Sequence, residues 1–290
     1  MKTKTALAAA ALALLTASAA LAQDADHSWS KTYKVTGKPT LDFETSDAAV
    51  DFHSCGDCHE IRIAIELVGH KMSDYRLEEG QTGDEVHFVF KELPRIGVHF
   101  SWHTDRTRVR VETPAQLTLA AKTSDGNVTL AGLEGELGLT TGDGDVTIDH
   151  VSGDLHLKSG DGHVRISNAQ GAIEARTSDG SLTVDGIFHA VALHTSDGRL
   201  DVSLRPGTKL TEASSIQTSD GSVAIHVPAN FAADLSVHSS DGHVDCALPV
   251  TIDHFQSSGG EGHNWQGKLN GGGTPLSIRT SDGNVKIDQL

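Results

Sequence analysis

Thr177-Ser178-Asp179-Gly180-Ser181-Leu182-Thr183-Val184 is followed, one repeat later, by Thr195-Ser196-Asp197-Gly198-Arg199-Leu200-Asp201-Val202. The Asp-Gly mark recurs outward from this pair at Asp125, Asp143, Asp161, Asp179 and Asp197 in equal steps, and then at Asp220, Asp241 and Asp282 with longer steps. Glu261-Gly262 reads as a degenerate mark inside the last gap. Fixed self-similarity of this kind is the signature of a repeat architecture. Between marks, apolar side chains fall at constant offsets: Val128, Leu130, Leu133, Leu137 and Leu139, then Val146, Ile148, Val151, Leu155 and Leu157. The next two units give Val164, Ile166, Ala169, Ile173 and Ala175, then Leu182, Val184, Ile187, Val191 and Leu193. Alternation within the first and last pairs has the period of two of half-buried strands. Each unit is therefore two short strands, a middle turn often holding glycine (Gly135, Gly153, Gly171), and an Asp-Gly turn. Asp-Gly suits such a turn because glycine accepts positive φ and the Asp carboxylate can bond nearby N–H groups.

The fold class that follows is all-β. The pattern fits a parallel β-solenoid of about 18-residue repeats, and an antiparallel repeat meander is the alternative. Constant repeat length favours the solenoid, because stacked rungs must stay in register. Residues 123–290 form the expected repeat domain. Residues 23–122 lack a fixed period, with strand-like runs at Tyr33–Val35, Leu41–Phe43, Val50–Phe52, Ile61–Leu67, Val86–Phe90, Val98–Trp102 and Arg108–Val111. They are expected to form an N-terminal β region capping the solenoid, since an open end would expose apolar surface and unpaired strand edges.

The units from Thr123 to Ile287, most reading Thr-Ser-Asp-Gly-x-Val/Leu-x-Val/Ile/Leu, resemble the putative-adhesin family of bacterial β-strand-repeat domains of unknown function. Leu41-Asp42-Phe43-Glu44-Thr45-Ser46-Asp47 followed by Val50 is similar to one more unit, departing from it by Ala48 in place of glycine. The resemblance implies repeated β-strands and an adhesin-like role, and it brings no catalytic residues.

Residues 1–22 read as a cleaved signal peptide: Lys2 and Lys4, an Ala/Leu run, then Ala20-Leu21-Ala22 before polar Gln23. The expected address is exported, in the periplasm or at the cell surface. The apolar run is shorter than the ~20 residues of a membrane span, and none is expected elsewhere. A formal charge of −16, more negative still without Lys2 and Lys4, disfavours nucleic acid as a partner. An aromatic content of 4% with 30 Gly fits a core of small and β-branched residues with many turns better than an ordinary globular enzyme.

Three constellations could carry chemistry. Cys55-Gly56-Asp57-Cys58-His59 has the spacing of a c-type haem attachment site, with Cys55 and Cys58 as thioether donors and His59 as axial ligand. It sits between two strand-like runs, so a disulfide between Cys55 and Cys58 clipping a tight hairpin is the favoured alternative in an oxidising compartment. Cys246 occupies a core offset and reads as a buried free thiol. Among 17 His, His163, His243 and His263 share the offset two after a mark, and His194 and His238 the offset three before. His238, Asp241, His243 and His263 could bracket a Zn or Cu site, although repeated surface His is the plainer account. The row Asp125, Asp143, Asp161, Asp179, Asp197, Asp220, Asp241 and Asp282 could bind Ca²⁺, but turn chemistry explains it without an ion. No hydrolase, zincin or phosphate-loop motif is present. His99, Trp102, His103 and Asp105 cluster in sequence, which a strand and its turn account for. The repeat aromatics Phe188, Phe231, Phe255 and Trp265 are few for a carbohydrate-active face. The expectation is a non-enzymatic envelope or surface protein, without cofactor, presenting an acidic repeat face to an unknown protein or envelope component. A periplasmic haem or metal protein and a solenoid carbohydrate-active enzyme are the alternatives.

Overall fold

A computed structural model describes residues 26–94, 106–257 and 263–290. The signal-peptide reading, the strand expected at 98–102, the His99–Asp105 cluster and the Glu261-Gly262 mark lie outside them. The strands, in chain order, begin with β1 (Ser28–Lys34), β2 (Thr40–Thr45), β3 (Ala49–Ser54), β4 (Glu60–Val68), β5 (Tyr75–Thr82), β6 (Glu85–Glu92), β7 (Arg106–Thr113) and β8 (Gln116–Lys122). The regular units follow as β9 (Val128–Ala131), β10 (Glu134–Thr140), β11 (Val146–Asp149), β12 (Ser152–Lys158), β13 (Val164–Thr177), β14 (Leu182–Thr195) and β15 (Leu200–Leu204). The last are β16 (Ser214–Thr218), β17 (Val223–Val227), β18 (Ala233–Ser239), β19 (Val244–Cys246), β20 (Val250–Ser257), β21 (His263–Leu269), β22 (Pro275–Thr280) and β23 (Val285–Gln289).

The repeats stack as parallel rungs, so the chain is a β-solenoid and the meander is set aside. Each rung places one strand in a first sheet, turns at Thr-Ser-Asp-Gly, and places the next strand in a second sheet. In the first sheet β8, β10, β12 and the C-terminal half of β13 pair in parallel. In the second, β9, β11, the N-terminal half of β13, β14, β15 and β17 do the same. Because the repeat length is constant here, equivalent side chains lie directly over one another: Val128 on Val146, Val146 on Val164, Val164 on Leu182. The inward columns are buried throughout and form one cluster from Tyr33 to Ile287. One offset differs. Register shifts between β13 and β14 leave Ile187 half-buried and seat Phe188 in the core instead.

The glycine of the mark is needed for a reason other than the one read from sequence. Among these glycines only Gly126 has positive φ. A Cβ on any of Gly144, Gly162, Gly180, Gly198, Gly221, Gly242 or Gly283 would lie 1.7–2.2 Å from the carbonyl oxygen of the equivalent glycine one rung away. The corners approach so closely that no side chain fits between them. Gly135, Gly153 and Gly171 at the other corner combine both demands, with φ of 127°, 108° and 125° and a carbonyl 2.1–2.2 Å from the position of a Cβ.

The ends of the stack are not in chain order. β2 lies between β6 and β8, and β3 between β7 and β9, all parallel. The Leu41–Asp47 unit is thus a true rung of the solenoid, its Ala48 carbonyl 2.2 Å from where a Cβ on Gly126 would stand. At the far end β22 lies between β16 and β18, and β23 between β17 and β19. Outside these rungs the pairing becomes antiparallel: β5 on β6, β4 on β7 and β1 on β4 at one end, β21 on β18 and β20 on β21 at the other. Strand β5 has no counterpart in the sequence reading, since Tyr75–Thr82 carries Glu78, Glu79, Gly80 and Gln81 and no clean alternation.

Gly180→Ala places a methyl against the Gly162 carbonyl and is expected to destabilise by about 1–3 kcal/mol through overpacking, whereas neighbouring exposed Asp179→Asn should stay within about 0.5 kcal/mol. Thermal unfolding of the two variants checks this; equal melting temperatures would contradict the close-contact account.

Candidate functional site

The most regular exposed feature is the corner. The carboxylates of Asp125, Asp143, Asp161, Asp179, Asp197, Asp220, Asp241 and Asp282 are all exposed, one per rung along one edge. Rungs separated by ~4.8 Å would carry this row over roughly 35 Å. Among the described residues none of the eight carboxylates takes a hydrogen bond or an ion pair, which corrects the expectation that they bond backbone N–H groups.

The turn is built instead by the hydroxyl two residues earlier. Thr195 Oγ1 accepts the Gly198 N–H at 3.2 Å and donates to the Ser178 carbonyl one rung below at 3.1 Å. Thr218, Ser239 and Thr280 repeat this, accepting from Gly221, Gly242 and Gly283 at 2.9–3.1 Å. All four hydroxyl residues are buried. Each joins its own turn to the next rung, so the Thr is structural and the Asp is free to face outward. Thr141 and Ser159 are buried at the same offset with hydroxyls that have no partner. In both, Gly stands where the other turns have Ser.

Carboxamide and carboxylate oxygens do hold backbone groups two residues after the mark. Asn127 Oδ1 accepts the Asp145 N–H (3.1 Å), Asp145 Oδ1 the His163 N–H (3.0 Å), and Asn284 Oδ1 the His243 N–H (2.9 Å). Only these three of the eight units carry Asn or Asp at that offset, so spacing alone does not single the position out. His163 joins the same ladder through Nδ1 and Ser181 Oγ, 2.8 Å apart. At the N-terminal end of the row, Asp47 has its carboxyl pushed above the usual range by partial burial, with Asp125 and Glu92 adding to the effect.

Cys55 and Cys58 are disulfide-bonded, their Cα atoms 5.8 Å apart. The setting is not the tight hairpin expected. Strands β3 and β4 flank β7 on opposite sides, so residues 55–59 arch over its end. The arch is anchored by Cys55 N–H to the Thr113 carbonyl (2.9 Å), Ala115 N–H to the Gly56 carbonyl (3.0 Å) and Val35 N–H to the His59 carbonyl (3.0 Å). His59 is exposed. Cys246 is a free, half-buried thiol on β19 whose pKa is raised, chiefly by burial.

His238, Asp241 and His243 are exposed, and the His263 side chain lies outside the described residues. Among the described residues no three His, Cys, Asp or Glu side chains come together as a metal-binding group. Phe188, Phe231 and Trp265 are buried, so none offers a face to a sugar; the Phe255 side chain is outside the described residues. Among the described residues no helix is long and apolar enough to cross a membrane.

The model of the family Toastrack DUF4097 matches residues 40–288, which spans both interleaved end rungs and every Asp-Gly corner. The chain belongs to this family. The Toastrack match starts at β2 and ends in β23, the two rungs that thread between others. No curated protein matches the chain. The solved structures similar to it include a putative adhesin from Bacteroides fragilis (10% identity, TM-score 0.46, covering 91% of this chain and 97% of that one). A putative adhesin from Parabacteroides merdae has 12% identity and a TM-score of 0.42 over 90% and 96% of the two chains. A putative cell adhesion protein from Clostridium sporogenes has 10% identity and a TM-score of 0.30 over 91% and 100%.

The Toastrack corner chemistry separates two substitutions of like kind. Thr195→Val strands the buried Gly198 N–H and is expected to cost about 1–3 kcal/mol. Thr141→Val removes a hydroxyl that has no partner and is expected to be neutral or stabilising. Paired denaturant titrations check the contrast, and equal losses would contradict it.

Proposed function

We propose that this Toastrack protein is a non-enzymatic binding scaffold, exported to the periplasm or cell surface, that presents its stacked aspartates to a basic partner in an adhesin-like role. One observation carries the reading: eight exposed carboxylates, one per rung, with no hydrogen bond or ion pair among the described residues. At the turns of Gly198, Gly221, Gly242 and Gly283 the hydroxyl makes the bond, and at none of the eight does the Asp carboxylate serve a bond among the described residues. A regular array of like charges on a stiff stack favours an extended cationic partner through complementary potential. The export signal read at residues 1–22 and the disulfide at Cys55–Cys58 agree with an oxidising compartment. The same disulfide occupies both thiols that a c-type haem would need, which lowers the support for that reading.

The test uses the full mature chain and a Lys-rich peptide as probe. Exposed charge pairs contribute about 0.2–1 kcal/mol each, so the triple variant Asp161→Asn, Asp179→Asn, Asp197→Asn should bind roughly five- to tenfold more weakly at low salt, with unchanged circular dichroism. Equal binding by both proteins would overturn the proposal. So would a Soret band in protein exported from a host that matures c-type haem. A saturable rise in melting temperature with millimolar Ca²⁺, reversed by a chelator, would make the row a cation site instead.

A further inference from the structure

The outer face of the first sheet carries a second column, of opposite sign to the Asp row. The parallel register stacks Lys122, Thr140, Lys158, Arg176, His194, Gln217, Arg279 and His238 one above another, each three residues before a mark. Six of the eight are basic or His, on a chain of formal charge −16. Lys122, Lys158 and Arg176 are exposed and border a shallow groove of about 430 Å³. Ala120 and Gly138 are among its lining residues, too short to fill it.

The acids of this groove are already engaged. Glu174 is held by Arg176 at 2.9 Å and approached by His156 at 3.4 Å, and its carboxyl lies below the usual range through the Arg176 hydrogen bond. Asp42 faces His87 at 2.9 Å. Lys122 makes a loose pair with Glu44 at 3.6 Å. Among the described residues Lys158 has no ion pair, and no ion pair joins the column to the Asp row. The groove is therefore left with Lys158 outside any ion pair and Lys122 only loosely held, two rungs or roughly 10 Å apart.

We propose that this groove binds an extended acidic polysaccharide, its uronate-type carboxylates meeting Lys122 and Lys158, which stand two rungs apart with Thr140 between them. If such a chain advances by roughly one sugar per rung of ~4.8 Å, Lys122 and Lys158 would meet carboxylates two sugars apart. The face disfavours other anionic polymers. A peptide laid on a sheet face finds no unpaired backbone groups, because the ladder uses them, and strand addition needs an edge. A single-stranded nucleic acid is held largely by base stacking on aromatics, and the groove lining includes none. A neutral glycan, with nothing to stack on, would gain little here.

Calorimetry on the full mature chain with an oligogalacturonate tests this, against a neutral oligosaccharide, poly-glutamate and a single-stranded oligonucleotide. The uronate should bind with an affinity that falls with salt, and Lys158→Glu should weaken it by roughly tenfold, the loss of about one charge-assisted contact. Lys209→Glu, an exposed charge reversal away from this groove, should leave it unchanged. No binding of the uronate at low salt, equal loss in both variants, or equal binding of poly-glutamate or the oligonucleotide would overturn the proposal. Circular dichroism of both variants shows whether a loss comes from unfolding, and Lys158→Gln, which keeps the stem, gives the same reading if Lys158→Glu is unstable.

Discussion

The near contact of one corner glycine with the carbonyl of the next is the constraint on which the rest of the structure depends. Parallel strands held at ladder spacing bring equivalent corners together, and at that distance a single Cβ has nowhere to go. The glycine therefore fixes the phase of each rung. Once the phase is fixed, every other position becomes a column: inward columns of Val, Leu and Ile, a buried hydroxyl column that bonds turn to rung, and outward columns whose character is free to vary. Core burial supplies the driving force, but burial alone would tolerate slippage, because neighbouring apolar offsets are two residues apart. The corner does not tolerate it.

That division explains why the outer surface is so ordered in charge. A residue type placed once per repeat becomes a line in three dimensions, so a short motif writes a long feature. The Asp row and the cationic column arise from positions three residues apart in each unit, yet they run as separate lines over many rungs. Solvent screening limits the repulsion within each line.

Much of this was legible in the sequence because a stacked repeat converts periodicity directly into position. The apolar offsets, the two strands per unit and the parallel stack were all readable from spacing. What was hidden depended on contacts between distant segments. The role of Thr195 is invisible locally, since its two bonds reach its own turn and the rung below. The assignment of turn chemistry to the Asp carboxylate followed general preference, and here tertiary packing gave that work to the hydroxyl. The Cys55–Cys58 arch was misread as a hairpin because nothing between Val50 and Leu67 announces that β7, far later in the chain, lies between them. The cationic column was missed for a related reason: Lys122, Lys158 and Arg176 are unremarkable until the register aligns them.

The interleaving of the end rungs has a meaning for a chain made from its N-terminus onward. When β2 and β3 leave the ribosome, neither of their parallel neighbours exists, and the rung waits for residues up to 131. At the other end, β18 and β19 cannot join the main stack by themselves, because their place against it is taken by β22 and β23. Strands β22 and β23, later in the chain than both neighbours on either side, couple β18 and β19 to the body. Without residues 275–289, β18 to β21 would have no rung to join them to the stack, so the body and the terminal sheet become one unit only once that rung has threaded between them.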